Sequence, residues 1–382
     1  MRNLSDTIAR LAAMRNRQGP LPTRPDDQLS DLVAFGSNPG ALRARLYVPE
    51  GLPPEPALVV ALHGCMQTGA GYDQGSGWSR LADQEKFAVL LPEQQRANNP
   101  NLCFNWFVPE GVSRDRGEVL SIRQMIEVVA KKHGVDRQRI FITGLSAGGA
   151  MAAAMLATYP EVFAGGAILA GLAYGSAATI PQAFDRMRGH AGPSKTGLQQ
   201  RLSAASAHEG TWPKISIWHG TADNTVASSN ADSIVAQWQG VHGVEASPTR
   251  KETVDGHTRR VWCDAEGNEL IETNTIAGMG HGTPLKTSGE DGLGVAAPFM
   301  LDVGISSTRR IAGFWGLTDS SEPDGEKAAR RLASGTALLP NSPTENARTG
   351  GVTQPGPAHR SGSAAGITKV IEDALRAAGL MR

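Results

Sequence analysis

The apolar positions of this chain fall into two alternating periods. Short continuous apolar runs recur at 57–64 (ALVVALHG), 87–93 (FAVLLPE), 139–144 (RIFITG), 164–171 (AGGAILAG) and 214–220 (KISIWHG). Runs of this length, closed by turn residues, predict strands buried on both faces of a parallel sheet. RARLYVPE at 43–50 alternates like a strand, and ELIETNTIAG at 269–278 predicts one more. Between the runs the period lengthens. Over 118–133, Val119, Ile122, Ile126 and Val129 share a stripe, Lys131, Lys132 and His133 occupy the last turn, and Gly134 stands where a cap belongs. Residues 147–158 predict a helix of small side chains that stops before Pro160, and further helices are predicted at 228–239 and 306–317. This alternation predicts an α/β fold: a mostly parallel central sheet with helices on both faces and its strand ends gathered on one rim.

The pattern changes outside 43–318, the main domain. Residues 1–42 read as an N-terminal helix followed by an extended arm, with Leu4, Ile8, Leu11 and Ala12 on one helical face. A targeting segment is the competing reading, and Asp6 counts against it. Residues 319–366 are rich in Ser, Pro, Gly and charge and predict a disordered linker, because few apolar anchors offset the entropy of ordering. Residues 367–382 return to a clean stripe (Ile367, Val370, Ile371, Ala374, Leu375, Ala378). That amphipathic helix either folds back on its own domain or contacts a second subunit, as a homo-oligomer, or another macromolecule.

Composition narrows the function classes. Lys+Arg and Asp+Glu are 37 each, so no net field draws nucleic acid. No run of 18 apolar residues predicts a membrane span. The three cysteines, Cys65, Cys103 and Cys263, are too few for a disulfide scaffold in 382 residues, although one pair can form in an oxidising compartment.

The candidate chemistry begins at FITGLSAGGAM, 141–151, where Gly144-Leu145-Ser146-Ala147-Gly148 fits G-x-S-x-G between a predicted strand and a predicted helix. That context suits a nucleophile elbow, with a serine exposed at the tip of a strained turn. A serine nucleophile needs a base, and the base an orienting carboxylate. Asp223 follows the strand at 214–220, and His281 follows the strand at 269–278, in the order Ser, acid, His. Asp232 is the rival acid, but it falls inside a predicted helix. His63 and His219 each close a strand as His-Gly and read as turn-stabilising. The backbone N–H groups of Ala147, at the helix start, and of Cys65, in HGCMQT, are the candidate oxyanion donors, with Met66 the fallback. Cys65 as a nucleophile is the rival reading, and it lacks a base. A Cys65–Cys103 disulfide would brace the LCFNWF loop against the oxyanion turn, but spacing alone does not establish it. Trp106 either lines an acyl pocket or is a packed aromatic. Scattered Cys and His carry no metal-ligand spacing, and no Gly-Lys-Ser/Thr follows the elbow as a phosphate loop requires.

HGCMQT, GWSRLAD, FAVLLPEQQ, CFNWF, SIRQMI, FITGLSAGGAM, YPEVFAGGAILAGLAYG, HGTAD and GMGHGTP together resemble the polyhydroxybutyrate depolymerase family of esterases, which neighbours the feruloyl and acetylxylan esterases. The resemblance covers about residues 30–317. It implies an α/β-hydrolase fold, a serine esterase that needs no cofactor, and an ester partner: a hydroxyalkanoate polymer or oligomer, or another short acyl ester. The family's nucleophile, acid and base map onto Ser146, Asp223 and His281. Members that attack polymer are usually extracellular and often carry a polymer-binding module. Here the N-terminus has no cleavable signal pattern and the tail has no β-rich module, so the compartment stays open.

Overall fold

The computed structural model describes residues 28–318. The expected N-terminal helix, the linker at 319–366 and the helix at 367–382 lie outside the described residues.

The chain opens with β1 (Ser30–Asp31), β2 (Arg43–Tyr47) and β3 (Leu58–Leu62), then α1 (Gly69–Ser76), α2 (Trp78–Glu85) and β4 (Ala88–Glu93). A short α3 (Pro109–Val112) leads into α4 (Gly117–His133), β5 (Ile140–Leu145), α5 (Ala147–Thr158) and β6 (Gly165–Leu169). Next come α6 (Ile180–Met187), α7 (Lys195–Ser203), β7 (Lys214–Gly220) and α8 (Ser229–His242). The strands β8 (Arg250–Val254), β9 (His257–Cys263) and β10 (Glu269–Ile276) follow, then β11 (Thr283–Leu285), β12 (Met300–Asp302) and α9 (Ser307–Trp315).

Ten strands form one sheet in the order β1-β2-β4-β3-β5-β6-β7-β10-β9-β8. The stretch from β4 to β10 is parallel throughout, and both ends of the sheet are antiparallel. This is the mostly parallel α/β sheet that the apolar runs predict, and it has the α/β-hydrolase architecture that the resemblance implies. β3 shows why those runs are continuous. Leu58, Val60 and Leu62 enter the core beneath α4, α5 and α8, while Val59 and Ala61 enter the second core beneath α1, α2 and α9. Gly134 caps α4 at φ 62°, as expected. In the second core, Trp315 of α9 stacks on Phe141 of β5 and on Trp78 of α2, with centroids 4.9 and 5.7 Å apart.

The β8–β9 hairpin was not visible in the apolar pattern, because Arg250, Lys251, Glu252, Arg259 and Arg260 mask its period of two. Its turn did carry a signal. Asp255-Gly256 takes φ 51° and 79°, the left-handed pair that favours Asp-Gly in a two-residue hairpin loop. The hairpin flanks β10, which is thereby held on both sides, parallel to β7 and antiparallel to β9. Among the described residues, no helix is long and apolar enough to cross a membrane.

Candidate active site

β5 ends at Leu145 and α5 begins at Ala147, so Ser146 alone makes the turn, at φ 56° and ψ −117°. A non-glycine residue held there costs roughly 1–3 kcal/mol, so its surroundings must impose the conformation. They do so through short backbone contacts. The Ser146 N–H donates to the Leu169 carbonyl at 2.9 Å, and the Ser146 carbonyl accepts from the Ala150 N–H at 2.9 Å. The two flanking glycines allow the approach. A Cβ on Gly144 would stand 2.3 Å from the Gly148 carbonyl oxygen, and one on Gly148 would stand 2.4 Å from those of Leu62 and His63. The glycines of G-x-S-x-G therefore press α5 onto the ends of β5 and β3.

The pairing of β7 with β10 brings the next two residues together. Gly220 lies in register with Ile276, so the turns beyond both strands start side by side. The N–H groups of Thr221 and Ala222 donate across to the carbonyls of Ile276 and Met279, both at 3.0 Å, and the Gly278 N–H donates to Thr221 Oγ1 at 2.8 Å. Within this frame, Asp223 Oδ2 accepts the hydrogen bond of His281 Nδ1 at 2.7 Å. Asp223 Oδ1 accepts the N–H groups of Thr225 and Val226, each at 2.8 Å. Burial of the carboxylate raises its pKa, but the hydrogen bonds from His219 and His281 outweigh burial and hold it well below the ordinary carboxylate range. The rival acid, Asp232, is on α8 and pairs with Arg260 at 2.8 Å.

Cys65 and Cys103 form a disulfide, which removes Cys65 as a rival nucleophile. The Met66 N–H is already committed to the Asn101 carbonyl at 2.7 Å. The N–H groups of Cys65 and Ala147 make no hydrogen bond among the described residues, so both are available to a ligand. Trp106 is buried in a small apolar cluster with Ala147, Ala150, Leu172 and Val226, directly beside the elbow.

The loop that carries Trp106 is fastened by a residue the sequence pattern did not single out. Glu118, buried at the start of α4, accepts hydrogen bonds from Gln94 Nε2 at 2.8 Å, from Asn105 Nδ2 at 2.6 Å, from the Asn105 N–H at 2.9 Å and from Asn98 Nδ2 at 3.3 Å. Burial raises the pKa of this carboxyl, and the four donors only partly oppose it. Phe299 was also missed. Its ring stands edge-on to that of His281, with centroids 5.9 Å apart, while its own side remains exposed. His63 fits its expected role, since Nδ1 meets the Gly64 carbonyl at 2.7 Å and Nε2 accepts the Gln94 N–H at 3.1 Å.

The chain is similar to known proteins. The family described as "Esterase PHB depolymerase" matches residues 42–260, a span that includes Cys65, Trp106, Ser146 and Asp223. The poly(3-hydroxyalkanoate) depolymerase C of Paucimonas lemoignei is 44% identical over 76% of this chain and 70% of its own length. The chain belongs to the PHB depolymerase esterases. This esterase is also 32% identical to an acetylxylan esterase of Coprinopsis cinerea, over 69% of its length and 72% of that protein's. It is 29% identical to a feruloyl esterase B of Talaromyces funiculosus, over 68% and 74% respectively. Among solved structures, an acetyl xylan esterase from Aspergillus awamori superposes with a TM-score of 0.65 at 24% identity, over 76% of this chain and 99% of that one. That likeness shows the shared fold, and the relatives establish a carboxylic ester hydrolase.

Proposed function

We propose that this esterase cleaves short 3-hydroxyacyl esters, as polyhydroxyalkanoate polymer or oligomers, through a serine acyl-enzyme. The observation that carries the mechanism is the Asp223–His281 hydrogen bond, formed at two adjacent strand ends on the rim where β5 delivers Ser146. In the first step, Ser146 Oγ attacks the ester carbonyl and gives its proton to His281 Nε2. Asp223 holds the imidazole by Nδ1–H and stabilises the imidazolium without taking its proton. The Cys65 and Ala147 N–H groups receive the oxyanion, each worth about 3 kcal/mol in the transition state. The alcohol leaves with the proton from His281. Water, deprotonated by the same imidazole, then releases the hydroxyacid and restores Ser146. Trp106 forms part of the acyl pocket, because its cluster includes Ala147.

The similarity to a poly(3-hydroxyalkanoate) depolymerase supports the hydroxyacyl substrate. The lower similarity to acetylxylan and feruloyl esterases supports a second reading, a plant-polymer or general short-chain esterase. The Cys65–Cys103 disulfide suits work in an oxidising compartment. A fluorophosphonate probe followed by peptide mapping tests the nucleophile, with modification expected at Ser146 and lost in Ser146→Ala. Turnover of 3-hydroxybutyrate oligomers against methyl ferulate and acetylated xylan tests the substrate. Preference for either of the latter overturns the hydroxyacyl assignment.

A further inference from the structure

β7 ends in His219-Gly220, and the candidate acid stands three residues beyond the strand. The His219 ring is buried, with 2% of its side chain exposed. Its Nε2 lies 2.9 Å from the Val226 carbonyl oxygen and 3.3 Å from Asp223 Oδ2. Both neighbours are acceptors, so the ring proton belongs on Nε2, shared between them. Nδ1 is buried and meets no hydrogen-bond partner among the described residues, which agrees with a bare nitrogen there.

We propose that His219 is a positioning residue for the acid: its Nε2–H holds Asp223 Oδ2 where that oxygen receives Nδ1–H of His281. A carboxylate offers about four lone-pair sites, and here four N–H groups address them. Thr225 and Val226 take Oδ1, while His281 and His219 take Oδ2. Rotating the carboxylate would break contacts at both oxygens. Val226 closes the circuit, because its N–H donates to Asp223 while its carbonyl accepts from His219. Its side chain also packs in the Trp106 cluster, so one imidazole links the acid to the wall of the apolar pocket. A ring that merely braced the turn would need only the Val226 carbonyl. The second acceptor is what aims it at the reacting centre.

The inference rests on Asp223 serving as the acid and is tested separately from that reading. In the full chain labelled with ¹⁵N, His219 is expected to show a protonated Nε2 and a bare Nδ1. A proton on Nδ1 would overturn the proposal, since Nε2 would then have none to give. His219→Phe is expected to lower kcat about tenfold with KM nearly unchanged, and to move the low-field proton resonance of His281 Nδ1–H. His219→Gln, whose amide reaches the same point, is expected to recover most of both. A folded Phe variant with wild-type kcat and an unmoved His281 resonance overturns the proposal, and if that variant does not fold, the tautomer decides alone. Fluorophosphonate labelling away from Ser146 would instead sink the triad reading and leave the tautomer result standing.

Discussion

A methyl group on Gly220 would stand 2.2 Å from the carbonyl oxygen of Met279. No other residue type fits between the turn that presents Asp223 and the turn that presents His281. Gly220→Ala must push the two turns apart, and a displacement near 1 Å in such a constellation costs about 100-fold in rate. The variant should therefore lose about 100-fold in kcat on p-nitrophenyl butyrate, about 2.7 kcal/mol in the barrier, beside a loss of stability of about 1–3 kcal/mol from overpacking. Wild-type kcat in the variant would contradict the role assigned to this contact.

Ser146 offers a test of stored strain. Ser146→Ala and Ser146→Gly should both be inactive, because each removes the hydroxyl. They should differ in stability. Alanine keeps the unfavourable φ of 56°, whereas glycine adopts it freely. The strain relieved exceeds the extra entropy of glycine in the unfolded chain, so the glycine variant should be the more stable by about 1 kcal/mol. Chemical denaturation of the two variants measures the difference, and equal midpoints would locate the strain elsewhere.

The depressed Asp223 carboxyl makes a prediction about acid. Burial works against its charge and the His219 and His281 hydrogen bonds overcome burial, so the folded pKa lies below the unfolded one. Its contribution to stability is fully present above the ordinary carboxylate pKa of about 4 and is lost as pH falls through the lower folded value. Asp223→Asn removes that contribution. The gap in unfolding free energy between wild type and variant should hold steady above about pH 4 and narrow below it. At neutral pH, kcat of the variant should fall by about 10⁴, the cost of presenting the imidazole in the wrong tautomer.

The Cys65–Cys103 bridge closes a separation of 38 residues. By loop entropy, its removal should cost about 4 kcal/mol. The Cys65→Ser, Cys103→Ser double variant should unfold at lower denaturant and lose activity, because the bridge ties the proposed oxyanion turn to the Trp106 loop. Cys263→Ser serves as the control and should change neither, since that thiol lies outside the bridge. Full activity after reduction of the folded enzyme would show that the turn keeps its shape unaided.

The parts legible in the sequence were those written in local patterns. The buried runs placed β3 to β7 and β10, and the strand-to-helix context of Gly144-Leu145-Ser146-Ala147-Gly148 placed the elbow. Asp223 and His281 were singled out because each follows a strand end, and the structure joins them by a hydrogen bond. What escaped notice depends on contacts across long separations. Glu118 occupies the first turn of an amphipathic helix, where an acidic residue is ordinary, and only the fold brings Gln94, Asn98 and Asn105 to it. His219 read as a turn residue because its distance to Asp223 depends on how the chain bends after Gly220. The β8–β9 hairpin was hidden by its charges, although its Asp-Gly turn was in plain view.

The Glu118 carboxylate and the Cys65–Cys103 disulfide fasten the loop from Gln94 to Gly117, with further ties from Met66 to Asn101 and from Arg114 to Glu161, while every group of the proposed triad stands on strand ends outside it. On the proposed reading, specificity and chemistry are carried by different parts of the fold. A loop of different length or lining, grafted with these anchors kept, is expected to change which acyl chains enter and to leave the proposed Ser146–His281–Asp223 frame untouched. The scaffold lends itself to the exchange of substrate range by loop transplantation.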